Sequence, residues 1–244
     1  MIELQGVRKQ FRNPVLTGLE LHVARGCLYG LLGPPASGKT LVLKLIAGLV
    51  RPDAGRVRVN GRELERLSEL ELGEHRRSIG MVFQNNALFD AWTVAENVAF
   101  PLRRTTDLTE SEIRERVAER LARVGLADLG ERLPTQLSGG QKKRVGIARA
   151  TAARAPLVLY DEPTAGLDPV TSRRIFDLLR SEQRAAQATA VMVSTEVDLL
   201  LDVVDRVGML HEGRLVFDGT PEEARASREP ALRQFLRGSE HGPL

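Results

Sequence analysis

The chain has 244 residues, 42% of them hydrophobic and 27% charged, with a formal net charge of +3. That length holds one large α/β core, or one core with an inserted subdomain, and the composition is that of an ordinary soluble globular protein. The mild positive balance permits contact with nucleic acid or anionic membranes without arguing for it, and a single cysteine, Cys27, excludes an internal disulfide and a cluster of metal-binding thiolates.

The opening residues carry charges at once and form neither a signal nor a transit peptide. The most apolar stretch, Leu41 to Val50, contains Lys44 and is too short to cross a bilayer, so a cytosolic location is expected. His22, His75, His211 and His241 show no metal-ligand spacing and are read as surface or satisfied structural residues.

In chain order, Ile2 to Val7, Leu19 to Val23 and Arg56 to Asn60 alternate with the period of a strand, and Asn60-Gly61 signals a hairpin. Such runs predict an antiparallel sheet flanking a parallel core. Between them the apolar run Leu28 to Leu32 leads through Gly33, Pro34, Pro35, Ala36, Ser37, Gly38, Lys39 and Thr40 into a helical stretch beginning at Leu41. Strand, glycine loop and helix in that order are the setting of a phosphate-binding loop. Gly33 and Gly38 let the backbone turn tightly, so that N–H groups and the helix N-terminus face an anion. Lys39 would reach the β- and γ-phosphates, and the Thr40 hydroxyl would ligate magnesium.

After Gly80 to Gln84 the pattern turns helical. Thr109 and Glu112 form a capping box ahead of Ile113, Val117, Leu121 and Val124, and Gly125 stops the run. Residues 85–153 are expected as a helical subdomain inserted in the core. Leu137, Ser138, Gly139, Gly140 and Gln141 lead into a basic helix, and Leu157 to Tyr160 is a buried-type strand ending on Asp161 and Glu162, where open α/β sheets place ligands. Asp161 fits a second magnesium ligand, and Glu162 can polarise a water. Helices and strands alternate from Val170 to Leu210, followed by a hairpin at Glu212-Gly213, a helix after Thr220-Pro221 and a polar tail.

These segments, in this order, resemble the ATP-binding cassette (ABC) ATPases over essentially the whole chain. Leu137 to Gln141 is similar to that family's signature, Gln84 to its Q-loop, Ala165-Gly-Leu-Asp168 to its D-loop, and Phe11 to the aromatic that stacks on adenine. The resemblance implies one nucleotide-binding domain over 1–244: a P-loop NTPase core of mainly parallel sheet with helices on both faces, an antiparallel β flank and the inserted helical subdomain. It implies ATP and Mg2+ as ligands, with Gln84 sensing the metal beside Thr40 and Asp161. It also implies a homodimer in which Ser138, Gly139, Gly140 and Gln141 of one copy, with Asp168, close on nucleotide held by the other. Gln84 and the helical subdomain would meet a membrane permease, with the chain peripheral on the cytoplasmic face of the inner membrane and no part for nucleic acid.

A narrower resemblance lies in Phe83 to Asp90, Thr93 to Leu102 and Leu232 to Gly238, which look like Mla-type ATPases working with MCE (mammalian-cell-entry) proteins in phospholipid transport between bacterial membranes. The tail from Ala231, residues 231–244, would then cross to the neighbouring subunit. An importer ATPase for a small polar solute such as an amino acid, and a weakly hydrolysing regulatory subunit, are the alternatives. Three positions depart from the family. Thr195 stands where a histidine is usual and cannot carry its charge, so hydrolysis is expected to be slower. Ala36 replaces a usual glycine and is tolerated only if its backbone avoids a positive φ. Leu41 replaces a usual threonine and lacks its hydroxyl.

Overall fold

Ten strands and nine α-helices account for most of the chain in the computed structural model, which describes residues 1–244. In order they are β1 (Ile2–Gln10), β2 (Pro14–Val23), β3 (Leu28–Leu32), α1 (Lys39–Ile46), β4 (Ala54–Val59), β5 (Arg62–Glu63), α2 (Glu69–Arg77), β6 (Ile79–Val82), α3 (Val94–Thr105), α4 (Glu110–Arg123) and α5 (Gly139–Ala152). There follow β7 (Leu157–Asp161), α6 (Pro169–Ala186), β8 (Thr189–Val193), α7 (Val197–Val203), β9 (Arg206–His211), β10 (Arg214–Gly219), α8 (Pro221–Ala226) and α9 (Pro230–Arg237). The chain divides into two units, Met1–Arg76 with Thr189–Leu244, and Arg77–Ala188.

In the first unit β3 lies parallel to both β8 and β9, and β10 closes that sheet as an antiparallel hairpin partner of β9. All five residues of β3 and of β8 are buried, as parallel strands covered on both faces must be. The alternating runs form the expected antiparallel sheet, in the order β2, β1, β4, β5, with Val59 opposite Arg62 across the Asn60-Gly61 turn. Asn60 adopts φ 52 and Gly61 φ 81, the left-handed pair this tight turn requires. His75 of α2 is buried, its Nε2 at 2.9 Å from the Ile46 carbonyl, so it is a satisfied structural histidine.

The second unit holds the parallel pair β6 and β7 and the helices α3 to α6. Thr109 and Glu112 make the capping box at the start of α4, and Thr93 and Glu96 make another at α3. The buried residues of α4 are Ile113, Val117 and Leu121, at helical spacing, together with Arg120. Arg120 pairs there with the buried Glu182 of α6. The C-terminal tail expected as polar instead contains α9. An apolar edge too short to register as a periodic run still buries Ala231 and Leu232.

Candidate phosphate cradle and signature helix

In the first unit the chain leaves the buried strand β3 at Leu32 and enters α1 at Lys39 through six residues. A side chain at Gly33, where φ is 146, would stand 2.3 Å from the Leu210 carbonyl and 2.9 Å from Ser37 Oγ, so no other residue fits. Gly38, the N-cap of α1, has φ 103 and lies under Val15 and Leu16 of β2. Ala36 sits at φ 60, so the condition set for tolerating it, a backbone outside the left-handed region, is not met. The turn imposes this conformation whatever residue occupies it, at a cost of about 1 kcal/mol for a non-glycine residue.

Lys39 is buried, and its Nζ donates to the carbonyls of Gly33 at 2.7 Å and Pro34 at 2.8 Å, which folds the lysine across the loop. Ser37 Oγ is buried with no hydrogen-bond partner. The first turn of α1 holds no acidic side chain. A cradle closed by two required glycines, an orphaned hydroxyl and a helix N-terminus free of negative charge suits a phosphate chain. The Leu41 side chain is buried, so it serves the core. Phe11 occupies the turn between β1 and β2 with 64% of its surface exposed and Lys9 Nζ 5.6 Å from its ring centre. Thr195 is exposed just after β8, and the preceding Ser194 hydroxyl accepts from the Glu196 N–H.

In the second unit Asp161 ends β7, buried, and Glu162 follows in the left-handed region at φ 45. That turn breaks the strand's alternation and sends the two carboxylates in different directions. Ser138 caps α5 in a capping box completed by the Gln141 side chain. The first turn of α5 has no acidic residue, and a side chain added at Gly139 would meet nothing within 4 Å. This helix N-terminus is open to an anion from outside the chain. Asp168 caps α6, its Oδ1 accepting from the N–H groups of Val170 and Thr171; a hydrogen bond from the Thr171 side chain first, and then these backbone bonds, hold its carboxyl below the usual carboxylate range. Gln84, Asn86, Asp90, Gly139, Lys143 and Gly166 line one cleft of about 630 Å³.

Sequence reasoning placed Lys143 in the basic helix after the signature and gave it no role of its own. Its ammonium is buried and donates to the carbonyls of Gln84 and Glu162, so two residues assigned to the site share one cation. Burial lowers its pKa, against the raising influence of Glu162 and Asp161. The signal was available: Lys143, Ile147 and Ala150 repeat at helical spacing, which puts the lysine on the inward face of α5. Thr40 in the first unit and Asp161 in the second each carry an oxygen donor, the hard type that magnesium selects.

A strand, a glycine-bounded cradle and a following helix on a parallel sheet define the phosphate-binding-loop nucleoside triphosphatase fold. A family model described as ABC transporter matches residues 16–165. The chain is 46% identical over 241 residues to the methionine import ATP-binding protein MetN of Symbiobacterium thermophilum, covering 97% of this chain and 72% of that protein. It is 38% identical over 244 residues to the probable ribonucleotide transport ATP-binding protein mkl of Mycobacterium bovis, covering all of this chain and 68% of the relative. Among solved structures, a dimeric ATP-binding cassette in a post-hydrolysis state, bound to ADP and Pi, superposes with a TM-score of 0.84 at 31% identity, covering 91% of this chain and 99% of that one. The cassette cbiO1 of Clostridium perfringens, part of the ABC transporter complex cbiONQ, gives 0.84 at 31% identity, covering 97% and 94%. The chain belongs to the ABC transporter family: it is an ATP-binding cassette and an ATPase.

Proposed function

We propose that the chain energises a membrane permease by closing, as a homodimer, on two molecules of Mg-ATP, and that the permease moves phospholipid. The observation that carries the dimer is the N-terminus of α5, capped by Ser138, free of acidic side chains and sterically open at Gly139. Its ligand would be nucleotide held by a second copy, a reading supported by the dimeric cassettes that this chain resembles.

Within one closed site, N–H groups of residues 33–41 and the Lys39 ammonium hold the β- and γ-phosphates, and Phe11 offers its exposed ring to adenine. Thr40, Asp161 and Gln84 would hold magnesium, which would neutralise the phosphate oxygens. Glu162 orients the attacking water and takes up its proton. Ser138, Gly139 and Gly140 of the partner copy stabilise charge on the γ-phosphate, with Gln141 fixing the turn and Asp168 rigidifying the neighbouring helix start. Thr195 leaves that site without the imidazole usual in the family, so turnover is slow.

The lipid cargo rests on the segments Phe83 to Asp90, Thr93 to Leu102 and Leu232 to Gly238, which resemble Mla-type ATPases working with MCE proteins. Phe89, Trp92 and Phe100 form an aromatic cluster there with ring centres 4.3 to 5.5 Å apart, and Phe83, Phe89 and Trp92 are each more than a third exposed. That surface suits a permease helix at the cytoplasmic face of the membrane. The second reading, an amino-acid importer, is favoured by the 46% identity to a protein named for methionine import. Purification from native membranes separates them: phospholipid and an MCE-type protein co-purify under the first, and a permease with a methionine-stimulated ATPase under the second. Phosphate release that Glu162→Gln leaves unchanged would overturn both.

A further inference from the structure

The loop after β6 is held from one side by two cations of α5. Lys143 Nζ donates to the Gln84 carbonyl, and the Arg149 guanidinium donates to the carbonyls of Asn86 and Ala87, both at 2.7 Å. Asn86 and Ala87 lie in the left-handed region, at φ 61 and φ 49, a conformation that asparagine tolerates and alanine does not favour. Lys143 is 5% exposed and makes no ion pair; its charge is met by carbonyl oxygens, the second of them Glu162 O at 3.4 Å. Burial lowers the pKa of both cations. One buried and one half-buried charge directed at backbone oxygens of a strained loop contribute little to stability that apolar side chains would not match. What they fix is where that loop sits.

We propose that Lys143 and Arg149 are positioning residues that lock the loop of residues 84–87 to α5, and that Lys143 ties both to the backbone of Glu162. The N-terminus of α5, the Gln84 side chain and the Glu162 carboxylate then move as one body. This inference rests on the roles given above to Gln84 and Glu162. Neither cation belongs to the phosphate cradle of residues 33–41, so losing one should alter turnover and leave nucleotide affinity alone. A merely structural lysine would change stability without that split.

The test uses the full chain as wild type, Lys143→Met, Lys143→Arg and Arg149→Lys. Three quantities are read: KM and kcat for ATP, binding of a fluorescent ATP analogue, and amide hydrogen exchange of residues 84–87. For Lys143→Met we expect kcat to fall about tenfold with analogue affinity within about twofold, recovery of most of kcat in Lys143→Arg, and faster exchange at residues 84–87. Arg149→Lys, which keeps the charge and loses the two-carbonyl fork, should raise exchange at 86 and 87; it decides the matter should Lys143→Met not fold. Unchanged exchange at 84–87 in the variants that fold, or a parallel loss of analogue affinity, overturns the proposal. A wild-type protein that hydrolyses no ATP, while exchange still responds, would refute the roles of Gln84 and Glu162 and leave the lock standing.

Discussion

Single side chains set the properties of the cradle. Ala36 holds a left-handed conformation at φ 60 that glycine adopts without a steric penalty. Ala36→Gly should therefore raise unfolding stability by about 0.5–1 kcal/mol in a urea titration, the gain being reduced by glycine's greater freedom in the unfolded chain. A loss of stability would mean that the methyl group makes a contact worth more than the strain. Thr195 is exposed, so a larger side chain has room there. Because removing one charge-stabilising donor from a reacting centre costs on the order of 10²-fold, Thr195→His should raise ATP turnover several-fold with KM little changed. A fall in turnover would show a site rebuilt around threonine.

Helix packing depends on a few buried polar groups of unequal weight. Arg120 and Glu182, both nearly fully buried, pair between α4 and α6, while Arg103 and Glu110 pair in the open at 2.8 Å. Glu182→Gln leaves the buried guanidinium with only the more exposed Glu119, 3.7 Å away, as a counter-charge and should cost about 3 kcal/mol, whereas Glu110→Gln should cost less than about 1 kcal/mol. Chemical denaturation of the two variants compares them directly, and equal losses would contradict the burial argument. His75 supplies a pH dependence. Burial lowers its folded pKa below the unfolded value of 6.5, its bond to Ile46 acting the other way. An unfolded chain then binds the proton more readily than the folded one, so stability is complete above the unfolded pKa and falls as pH drops below it. Between pH 7 and pH 5.5 the urea midpoint of the wild type should fall more than that of His75→Gln, and identical slopes would remove the histidine as a cause.

In the proposed dimer the assembly is decided at the N-terminus of α5. Gly139 has open space around it, and an aspartate in a first helical turn is favoured by the helix dipole by about 0.3–1 kcal/mol. Gly139→Asp should therefore leave the folded monomer as stable as before or slightly more so. Its carboxylate would confront the γ-phosphate brought by a second copy, so Mg-ATP should no longer drive dimerisation of a Glu162→Gln background, measured by light scattering. A persisting dimer would exclude the sandwich. Like charges, not misfolding, would be the cause of its loss.

The cradle from Gly33 to Thr40, the strand ending on Asp161, the capping boxes and the alternating flank were legible in the sequence because each is local: a glycine where φ must be positive, a cap three residues from its glutamate, a two-residue period. Features that join distant positions were not. Lys143 meets Gln84 across 59 residues and Arg120 meets Glu182 across 62, and no spacing in the chain announces either bond. Ala36 shows the same limit in a single residue, since the turn's path, fixed by β3, Leu210 and α1, overrode the backbone preference of alanine. Covalent neighbours and periodicity dictate where elements begin and what chemistry they carry. Only packing decides which buried charge faces which carbonyl, because that choice is made by the free energy of the whole core.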